Sequence, residues 1–263
     1  MTGPELDDLL ALATEAATRA GELLMTFFEA PVPGVSAKTS PTDLVSDADR
    51  ASEKLLLDYI DRARPGDGVL AEEGSARDST SGYTWVVDPL DGTINFLYGI
   101  PVWSVSVAID DDAGTAVGVV HDPCRGETFA ARRGGGATLN GTRVKVSDKD
   151  DIEAALIGTG FSYEELARAR QAEVVARVVP VVRDVRRAGS AALDLASVAC
   201  GRLDGFYEGA TEPWDKAAGV LLVQEAGGVV SLLDPPLPHL SPGVVAAGPA
   251  LHDRLAALVR DQA

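Results

Sequence analysis

The chain has 263 residues, of which 46% are hydrophobic and 24% charged, and its formal net charge at pH 7 is −17. This composition is typical of a folded globular protein and excludes an intrinsically disordered chain. The acidic balance argues against a nucleic-acid-binding protein, because such proteins neutralise phosphates with Lys and Arg. A small anionic substrate is not excluded, since a bound divalent cation can reverse the sign of the local charge.

Other features of the sequence bear on the cellular compartment in which the protein is expected. Apolar runs such as Ala217 to Val223 are far shorter than the roughly 20 residues of a membrane-spanning helix, so no membrane span is expected. The start of the chain, MTGPELDDLL, lacks the basic and apolar regions of a secretory signal, and the cytoplasm is the expected location. The two cysteines, Cys124 and Cys200, are too few for a disulfide framework and are expected to be buried thiols.

The first part of the chain is predicted to contain two helices followed by strands. Apolar residues at helical spacing predict a long amphipathic helix over Leu6 to Phe28, which PVPG at 31–34 ends. A second helix is predicted over Ser46 to Ala63, with Ser46 and Asp49 in capping-box positions. The short connections between the strands that follow predict antiparallel pairing. Beyond Val69 we expect strands at Tyr83 to Val87, Val102 to Ile109, Ala116 to Val120 and Glu127 to Ala131, and a hairpin turn at Arg132 to Gly136.

After Lys149 strands alternate with helices, which predicts a second sheet covered by helices. We therefore expect an α/β protein of layered sheets and helices with two halves, residues 1–150 and 151–263, packed as one compact unit. The predicted strands are Ala154 to Gly158, Val185 to Arg187 and Gly205 to Glu208, and the predicted helices are Tyr163 to Val179, Ala191 to Ala199 and Trp214 to Ala226.

One short stretch, WVVDPLDGTINF at residues 85–96, joins an apolar strand to two acids. A carboxylate at the end of a buried strand is costly to desolvate, and Asp88 and Asp91 also repel each other. A divalent cation would compensate, because Mg²⁺ takes oxygen ligands and is commonly held by a few carboxylates and a substrate phosphate. Pro89 makes the bend rigid, and Gly92 lets the backbone approach a ligand. A helix starting at Gly92 would direct free N–H groups at an anion.

The same stretch also has a purely structural explanation, in which Asp88 and Asp91 cap a turn. Three further acidic clusters lie at predicted strand ends or helix starts, and the convergence of four such clusters is typical of a metal site. Each of the three has its own alternative, as a solvated turn or as helix-capping charge. These clusters are DLVSDAD at 43–49, AEEG at 71–74 and EPWDKAAG at 212–219.

The motifs carry a resemblance to a known family. The segment DPLDGTINF, beginning at Asp88, resembles the DPxDGTxNF signature of the inositol monophosphatase family, and WDKAAG, beginning at Trp214, resembles its second signature. The resemblance runs from the first helix to the final AAG segment, with Lys38, Asp43 and Asp49 at matching places. It implies a fold of alternating helix and sheet layers, an αβαβα sandwich, and a Mg²⁺-dependent phosphatase that is commonly dimeric and lithium-sensitive.

The resemblance also implies a set of metal ligands. Glu72, Asp88 and the backbone carbonyl of Leu90 would hold a first Mg²⁺, and Asp88, Asp91 and Asp215 would hold a second. Glu72 would also contribute to a weaker third site. Two or three Mg²⁺ per subunit are therefore expected, with Mn²⁺ as a possible substitute.

Roles in catalysis and substrate binding are implied in the same way. Thr93, oriented by Asp49, would activate a water with help from Glu72, and the amides of Gly92 and Thr93 would bind the phosphate. Lys38 lies close to this region in the family, although a surface lysine is its structural alternative. The remaining substrate-binding residues implied by the resemblance are Asp91, Glu208 and Ala191.

This assignment agrees with independent chemistry, because paired metals can activate water and stabilise both the entering and the leaving oxygen at phosphorus. A protein nucleophile is then not required. The motifs of rival enzymes are missing from the sequence: no cysteine is followed by an arginine six positions on, and the RHG, DxDx[TV], GxSxG and GxxxxGK[ST] patterns do not occur.

Gly158-Thr-Gly160 is a weak dinucleotide-binding candidate, because Tyr163 holds the place of the third glycine. The three histidines, His121, His239 and His252, have no metal-ligand spacing.

Within the family we expect a polyol phosphate, most specifically myo-inositol 1-phosphate, because Glu208 falls where inositol-type enzymes place an acid that binds a substrate hydroxyl. The alternative substrates are fructose 1,6-bisphosphate, histidinol phosphate and 3′-phosphoadenosine nucleotides. A different class of function is a regulatory or scaffolding protein that retains the metal site. A calcium-binding module is excluded by the lack of a 12-residue loop with alternating acids.

Overall fold

In a computed structural model of the chain, residues 3–28, 36–37 and 44–260 are described. The helices α1 to α7 are Gly3–Phe28, Asp47–Ala63, Thr93–Leu97, Glu165–Val178, Ala191–Ala199, Pro213–Glu225 and Pro249–Val259. Strands β1 to β8 are Ser36–Ala37, Leu44–Val45, Gly68–Ala71, Ala76–Arg77, Thr84–Asp91, Ser104–Asp111, Gly114–Asp122 and Glu127–Arg132. Strands β9 to β15 are Gly136–Leu139, Thr142–Arg143, Leu156–Thr159, Asp184–Arg186, Gly205–Glu208, Val229–Leu233 and Gly243–Ala247.

Two large sheets organise the described residues. The first has eight strands in the order β10-β9-β8-β7-β6-β5-β3-β4, and the second has five in the order β12-β11-β13-β15-β14. The expected antiparallel pairing is confirmed from β5 through β10. Strand β3, which was not among the predicted strands, pairs in parallel with β5. The chain between them leaves the sheet edge through β4 and a long turn, so β5 can re-enter in the same direction as β3.

The helices form three layers around these sheets, which confirms the expected αβαβα sandwich. Helices α1 and α2 cover one face of the first sheet, α5 and α6 lie between the two sheets, and α7 covers the far face of the second sheet with α4 beside it. Each interlayer space has its own apolar core. The predicted division near residue 150 places one large sheet on each side, and the division itself stays a prediction.

Predicted element boundaries agree best where a helix or strand has a clear cap. The predictions for Ala191–Ala199 and Gly205–Glu208 match the structure, and the second helix begins after a Ser46 N-cap with Asp49 completing the capping box, as predicted. The strand predicted over Tyr83 to Val87 continues instead to Asp91, with a register shift between Asp88 and Asp91. Strands β14 and β15 and helix α7 were not predicted, because each follows a Pro- or Gly-containing loop that interrupts the periodic pattern.

Several smaller expectations concern exposure. Cys124 and Cys200 are both free, but they are partly exposed and not buried as predicted, since each lies at the edge of an apolar core. No helix in residues 3–28, 36–37 and 44–260 is long and apolar enough to cross a membrane.

The middle helix layer is packed tightly against its neighbours. A Cβ added at Gly219 of α6 would lie 2.6 Å from Leu195 Cβ of α5, and one at Gly118 of β7 would lie 2.8 Å from the carbonyl oxygen of Ala218. Glu225, at the end of α6, accepts hydrogen bonds of 2.7 Å from the amides of Gly134 and Gly136 in the turn after β8. These contacts fix α6, which begins at the signature tryptophan segment, against the first sheet.

We expect Gly219→Ala to lower the free energy of unfolding by about 1–3 kcal/mol, because the added methyl group overpacks the α5–α6 contact. The intrinsic helix preference of alanine, at most about 1 kcal/mol, is too small to offset this cost. Urea unfolding measures the change. Gln224→Ala, on the exposed side of the same helix, is the matched control and should change stability by less than about 0.5 kcal/mol. A stabilised Gly219→Ala variant would contradict the packing described here.

Candidate active site

The acidic stretch forms the end of β5 and the turn into α3. The register shift between Asp88 and Asp91 lifts this segment out of regular pairing with β6. Gly92 then adopts φ 96°, and a Cβ at this position would lie 3.0 Å from the carbonyl oxygen of Val102. Glycine is therefore required here both for the backbone conformation and for space. The short helix α3 begins at Thr93, so the predicted helix start after Gly92 is confirmed.

A buried hydrogen-bond network joins this turn to the start of α2. Thr93 Oγ1 lies 2.9 Å from Asp49 Oδ1 and 3.1 Å from the carbonyl oxygen of Leu90. The other Asp49 oxygen, Oδ2, accepts from the backbone amide of Ser46 at 2.8 Å and from its hydroxyl at 2.6 Å. Ser52, one turn further along α2, donates to the carbonyl oxygen of Pro89 at 2.8 Å. Asp49 thus acts both as a helix cap and as the partner of Thr93, and the two interpretations of this residue are compatible.

Asp91 is held by the N-terminus of α5, a helix from the second half of the chain. Its Oδ2 accepts from the Ser190 hydroxyl, from the amide of Ala192 at 2.9 Å and from the Ser104 hydroxyl at 3.5 Å. Ser190 is also the N-cap of α5, where it accepts from the amide of Leu193. Only one of the two carboxylate oxygens of Asp91 is engaged in these bonds, which leaves the other available to a ligand.

Two further acids are fixed by backbone donors in the same way. Asp88 Oδ1 accepts from the amide of Leu90 at 2.9 Å. Asp215, in the first turn of α6, accepts from the amide of Glu212 at 2.7 Å through Oδ2. Glu72 follows β3 and donates its amide to the carbonyl oxygen of Val87 on the neighbouring strand. The structural alternatives for Asp88 and Asp215 are thus real contacts, but each contact uses one oxygen of the carboxylate.

These residues surround a cavity of about 680 Å³. Of the predicted site residues, Glu72, Asp88, Leu90, Asp91, Gly92, Thr93, Ala191, Glu208 and Asp215 all line it. Asp49 does not reach the cavity and lies behind Thr93, with its carboxylate fully buried. Lys38 and Asp43 lie outside the described residues.

The electrostatics of the cavity are dominated by carboxyl groups. Burial, followed by repulsion from Glu72, Asp91 and Asp215, raises the pKa of Asp88 well above its ordinary value. Burial also raises the pKa of Asp91 to about 6, although the Ser190 hydroxyl and the Ala192 amide oppose the rise. Burial and the charges of Glu72 and Asp91 raise the pKa of Asp215. Such mutual repulsion favours either protonation or the binding of a cation.

The oxygen atoms that face the cavity are chemically suited to a hard divalent cation. They are carboxylate oxygens and the Leu90 carbonyl oxygen, which are the ligands that Mg²⁺ prefers. Within the described part of the chain, however, no group of three or more His, Cys, Asp or Glu side chains is arranged to hold a metal ion as it stands. The proximity of Glu72 to Asp88 instead contributes to the raised pKa of Asp88. Coordination therefore requires these carboxyl groups to be ionised and to turn their oxygens to the metal.

Some residues of the site were not predicted from the sequence. Asp194 and Arg187 line the cavity, and Ser190 and Ser104 hold Asp91. Asp194 had a detectable signal, because it is the only charged residue in the apolar helix sequence AALDLASVA. A charged side chain in a helix of that composition is buried beside something that compensates it. Ser190 had no comparable signal in the sequence beyond its position as an N-cap.

The histidines do not line the cavity, whereas part of the Gly158-Thr-Gly160 segment does. His121 and His252 are buried and hydrogen-bonded to Thr128 and Ser231, and His239 is paired with Glu164 at the surface. Thr159 and Gly160 line the cavity, and Gly160 lies against the Glu208 carboxyl group. Gly158 lies against Leu203 and Phe206.

The raised pKa of Glu208 should make the stability of the folded protein depend on pH. Burial raises this pKa to about 8 from an ordinary value of 4.5, although Arg187 opposes the rise. Because the folded-state pKa is the higher one, the folded protein loses stability as pH rises from about 4.5 to about 8. Compared with Glu208→Gln, the wild type should be equally stable at pH 4.5 and less stable by on the order of 1–3 kcal/mol at pH 8. Urea unfolding across this range measures the difference.

The control for this comparison is Glu173→Gln, on the exposed face of α4, which should show no such trend. A difference between wild type and Glu208→Gln that stays constant from pH 4.5 to pH 8 would show that Glu208 ionises normally in the folded protein.

The fold and the site together define a layered α/β protein whose carboxylates converge at the edge between its two sheets. The chain belongs to the inositol monophosphatase family, whose family model matches residues 5–263. It is 44% identical over 235 residues to the inositol-1-monophosphatase of Mycobacterium bovis, covering 86% of this chain and 81% of that protein. It is 39% identical over 257 residues to the Nus factor SuhB of Escherichia coli K12, covering 97% and 96%.

The solved structures agree with this family membership. The crystal structure of the extragenic suppressor protein suhB from Bartonella henselae superposes with a TM-score of 0.90 at 35% sequence identity, and the match covers 97% of this chain and 100% of that one. The similarity therefore extends through both sheets and all three helix layers.

Proposed function

We propose that the protein is a Mg²⁺-dependent phosphomonoesterase that hydrolyses a small polyol phosphate, with myo-inositol 1-phosphate as its principal substrate. The observation that carries this proposal is the meeting of Glu72, Asp88, Asp91 and Asp215 in one cavity beside a Thr93 hydroxyl bonded to Asp49. Family membership supports a phosphatase in which a metal takes part. The choice of Mg²⁺ and of inositol 1-phosphate is part of the proposal, and the oxygen donors of the cavity and the position of Glu208 support it.

Two groups of ligands would hold the metal. Glu72, Asp88 and the Leu90 carbonyl form one group, and Asp88, Asp91 and Asp215 form the other, with Glu72 also available to a third ion. When bound, Mg²⁺ would neutralise the phosphate charge, lower the pKa of water and stabilise the leaving oxygen. Mn²⁺, which accepts the same oxygen donors, is an expected substitute.

The protein's own groups supply the proton transfer. Thr93 Oγ1 donates a hydrogen bond to Asp49, so it can accept a proton from the attacking water while it passes its own proton to the Asp49 carboxylate. Asp49 is held in position for this transfer by the amide and the hydroxyl of Ser46. Glu72 assists as a second acceptor, and the amides of Gly92 and Thr93 bind the phosphate oxygens. A covalent phosphoenzyme is not needed.

We propose that the leaving group binds between Ala191 and Glu208, which both line the cavity. Lys38 is proposed to lie near the attacking water, as in the family. The described residues that line the cavity include eight carboxylic acids and a single cation, Arg187. This balance disfavours a substrate with a second phosphate at the leaving-group end, because that phosphate would meet carboxylates that no metal neutralises.

The direct test is Asp91→Asn. We expect this variant to lose at least about 100-fold in kcat for Mg²⁺-dependent phosphate release, because the metal set loses a charge at its centre. Phosphate release from inositol 1-phosphate measures the rate, and circular dichroism checks that the variant is folded. Asp112→Asn, in an exposed turn, is the matched control and should keep the wild-type rate. An unchanged rate in Asp91→Asn would overturn the proposed mechanism.

Substrate choice is tested with a panel of esters. We expect kcat/KM for inositol 1-phosphate to exceed that for fructose 1,6-bisphosphate and adenosine 3′,5′-bisphosphate by at least about tenfold, because of the acidic leaving-group end. Histidinol phosphate should also be the poorer substrate, since its leaving group has no ring of hydroxyls for Glu208. A tenfold preference for the adenosine compound would refute the substrate while leaving the hydrolytic mechanism intact.

A second candidate function is suggested by the E. coli relative, which is named a Nus factor. In that case the protein would act through binding to a partner, with or without turnover. The intact cavity favours hydrolysis, and the Asp91→Asn comparison separates the two, since a binding role does not require phosphate release.

The finer properties of the protein are also part of the proposal. We propose a cytoplasmic homodimer that is inhibited by lithium at one of the metal positions. The exposed side chains of Tyr98 and Ile100, which follow α3 and are 75% and 45% exposed, support an apolar contact surface near the active site. Asn95 connects this region to the carbonyl of Ala188, so a partner subunit would lie close to the leaving-group end.

A further inference from the structure

We propose that Asp194 and Arg187, together with Glu208, form a polar subsite that binds two neighbouring hydroxyl groups of the leaving alcohol and thereby selects a polyol. This inference rests on the proposed function, since it assigns residues to the substrate of that reaction. Glu208 was expected to bind a hydroxyl group. The roles of Asp194 and Arg187 come from the structure.

The subsite explains Gly160 in the Gly158-Thr-Gly160 segment at the end of β11. A Cβ added at Gly160 would lie 2.0 Å from Glu208 Oε2, and a Cβ at Gly158 would lie 3.5 Å from Asp194 Cγ. The Glu208 carboxyl group therefore occupies the space that a side chain at Gly160 would fill. At Gly158 that space is filled by Leu203 and Phe206, and the Asp194 carboxyl group lies in ordinary contact beside them. Neither glycine has a positive φ, so the requirement at Gly160 is for space. The segment that resembled part of a cofactor loop instead makes room for Glu208 at Gly160 and contacts Asp194 at Gly158.

Asp194 has no protein partner for its carboxylate. It is 4% exposed and it lines the cavity, yet no side chain or backbone amide in the described part of the chain donates a hydrogen bond to it. Glu208 likewise receives no hydrogen bond from those residues. A buried polar group without a partner costs on the order of 1–3 kcal/mol, so such a group in a binding cavity is best explained by a ligand that satisfies it.

Arg187 supplies a complementary donor. Arg187, Asp194 and Glu208 line the same cavity, and the charge of Arg187 lowers the pKa of both acids against the larger effect of burial. Arg187 forms no hydrogen bond or ion pair within the residues described, and it lines the cavity. Its position is restricted by the chain, since a Cβ at Gly189 would lie 2.5 Å from an Arg187 guanidinium nitrogen.

The two acceptors, the carboxyl groups of Asp194 and Glu208, and the Arg187 guanidinium as donor together match two neighbouring hydroxyl groups. Each hydroxyl can donate to one carboxylate and accept from the guanidinium, which satisfies all three side chains at once. A leaving group without hydroxyls would bury both acids unpaired, and sites of this kind reject such analogues strongly. The subsite therefore acts on substrate choice, while the metal-binding acids act on every phosphate ester.

The test compares two substrates across matched variants. Inositol 1-phosphate carries a ring of hydroxyl groups, and 4-nitrophenyl phosphate carries none in its leaving group. We expect Asp194→Ala to lower kcat/KM for inositol 1-phosphate by at least about tenfold and to change that for 4-nitrophenyl phosphate by less than about threefold. Asp194→Asn, which keeps an oxygen acceptor and the side-chain shape, should recover part of the loss. Ser197→Ala, on the same helix but outside the cavity, should match the wild type.

Gly160→Ala gives an independent measurement, because its methyl group displaces the Glu208 carboxylate without removing an acid. It should produce the same selective loss of kcat/KM for inositol 1-phosphate. If Asp194→Ala does not fold, Gly160→Ala and Asp194→Asn together test whether the subsite exists. Equal losses on both substrates, or no loss on either, in these variants would overturn the subsite. A wild-type protein that hydrolyses neither ester with Mg²⁺ would overturn the proposed function itself, and the subsite with it.

Discussion

The structure is arranged around the cost of placing several carboxylates in one partly buried cavity. Burial and mutual repulsion raise the pKa of Asp88, Asp91 and Asp215 together. The fold limits this cost by giving each acid one hydrogen bond from a backbone amide, at the end of β5 or at a helix start. One oxygen of each carboxylate is thereby fixed, and the repulsion that remains is what a divalent cation would relieve.

The middle helix layer connects this site to both halves of the chain. The N-terminus of α5 donates to Asp91 at the end of β5, and the N-terminus of α6 carries Asp215, which accepts from its N-cap Glu212. The second half of the chain therefore orients one acid of the first sheet and supplies another. Close packing at Gly219 and Gly118 fixes the position of α6, because neither glycine leaves room for even a methyl group. A change in the packing of these helices would consequently be felt at the site, even though none of the packing residues touches it.

Much of this arrangement could be predicted from local patterns. The capping box at Ser46 and Asp49, the helix over Ala191 to Ala199 and the acids of the DPLDGT stretch all have short-range signals, and the structure brings the predicted acids to one cavity. The parallel pairing of β3 with β5 was missed, because it depends on how the intervening chain leaves the sheet. Asp194 and Arg187 were missed as well, since their relation to Glu208 exists only after three separate elements pack together.

The central claim is that the four carboxylates and the Leu90 carbonyl form a metal cage. The most direct measurement is anomalous diffraction from crystals of the protein soaked in Mn²⁺. The account predicts anomalous peaks bounded by Glu72, Asp88, Asp91 and Asp215, with carboxylate oxygens of Glu72 and Asp88 in contact with the ion. An anomalous map with no peak among these side chains, at a Mn²⁺ concentration that supports phosphate release, would contradict it.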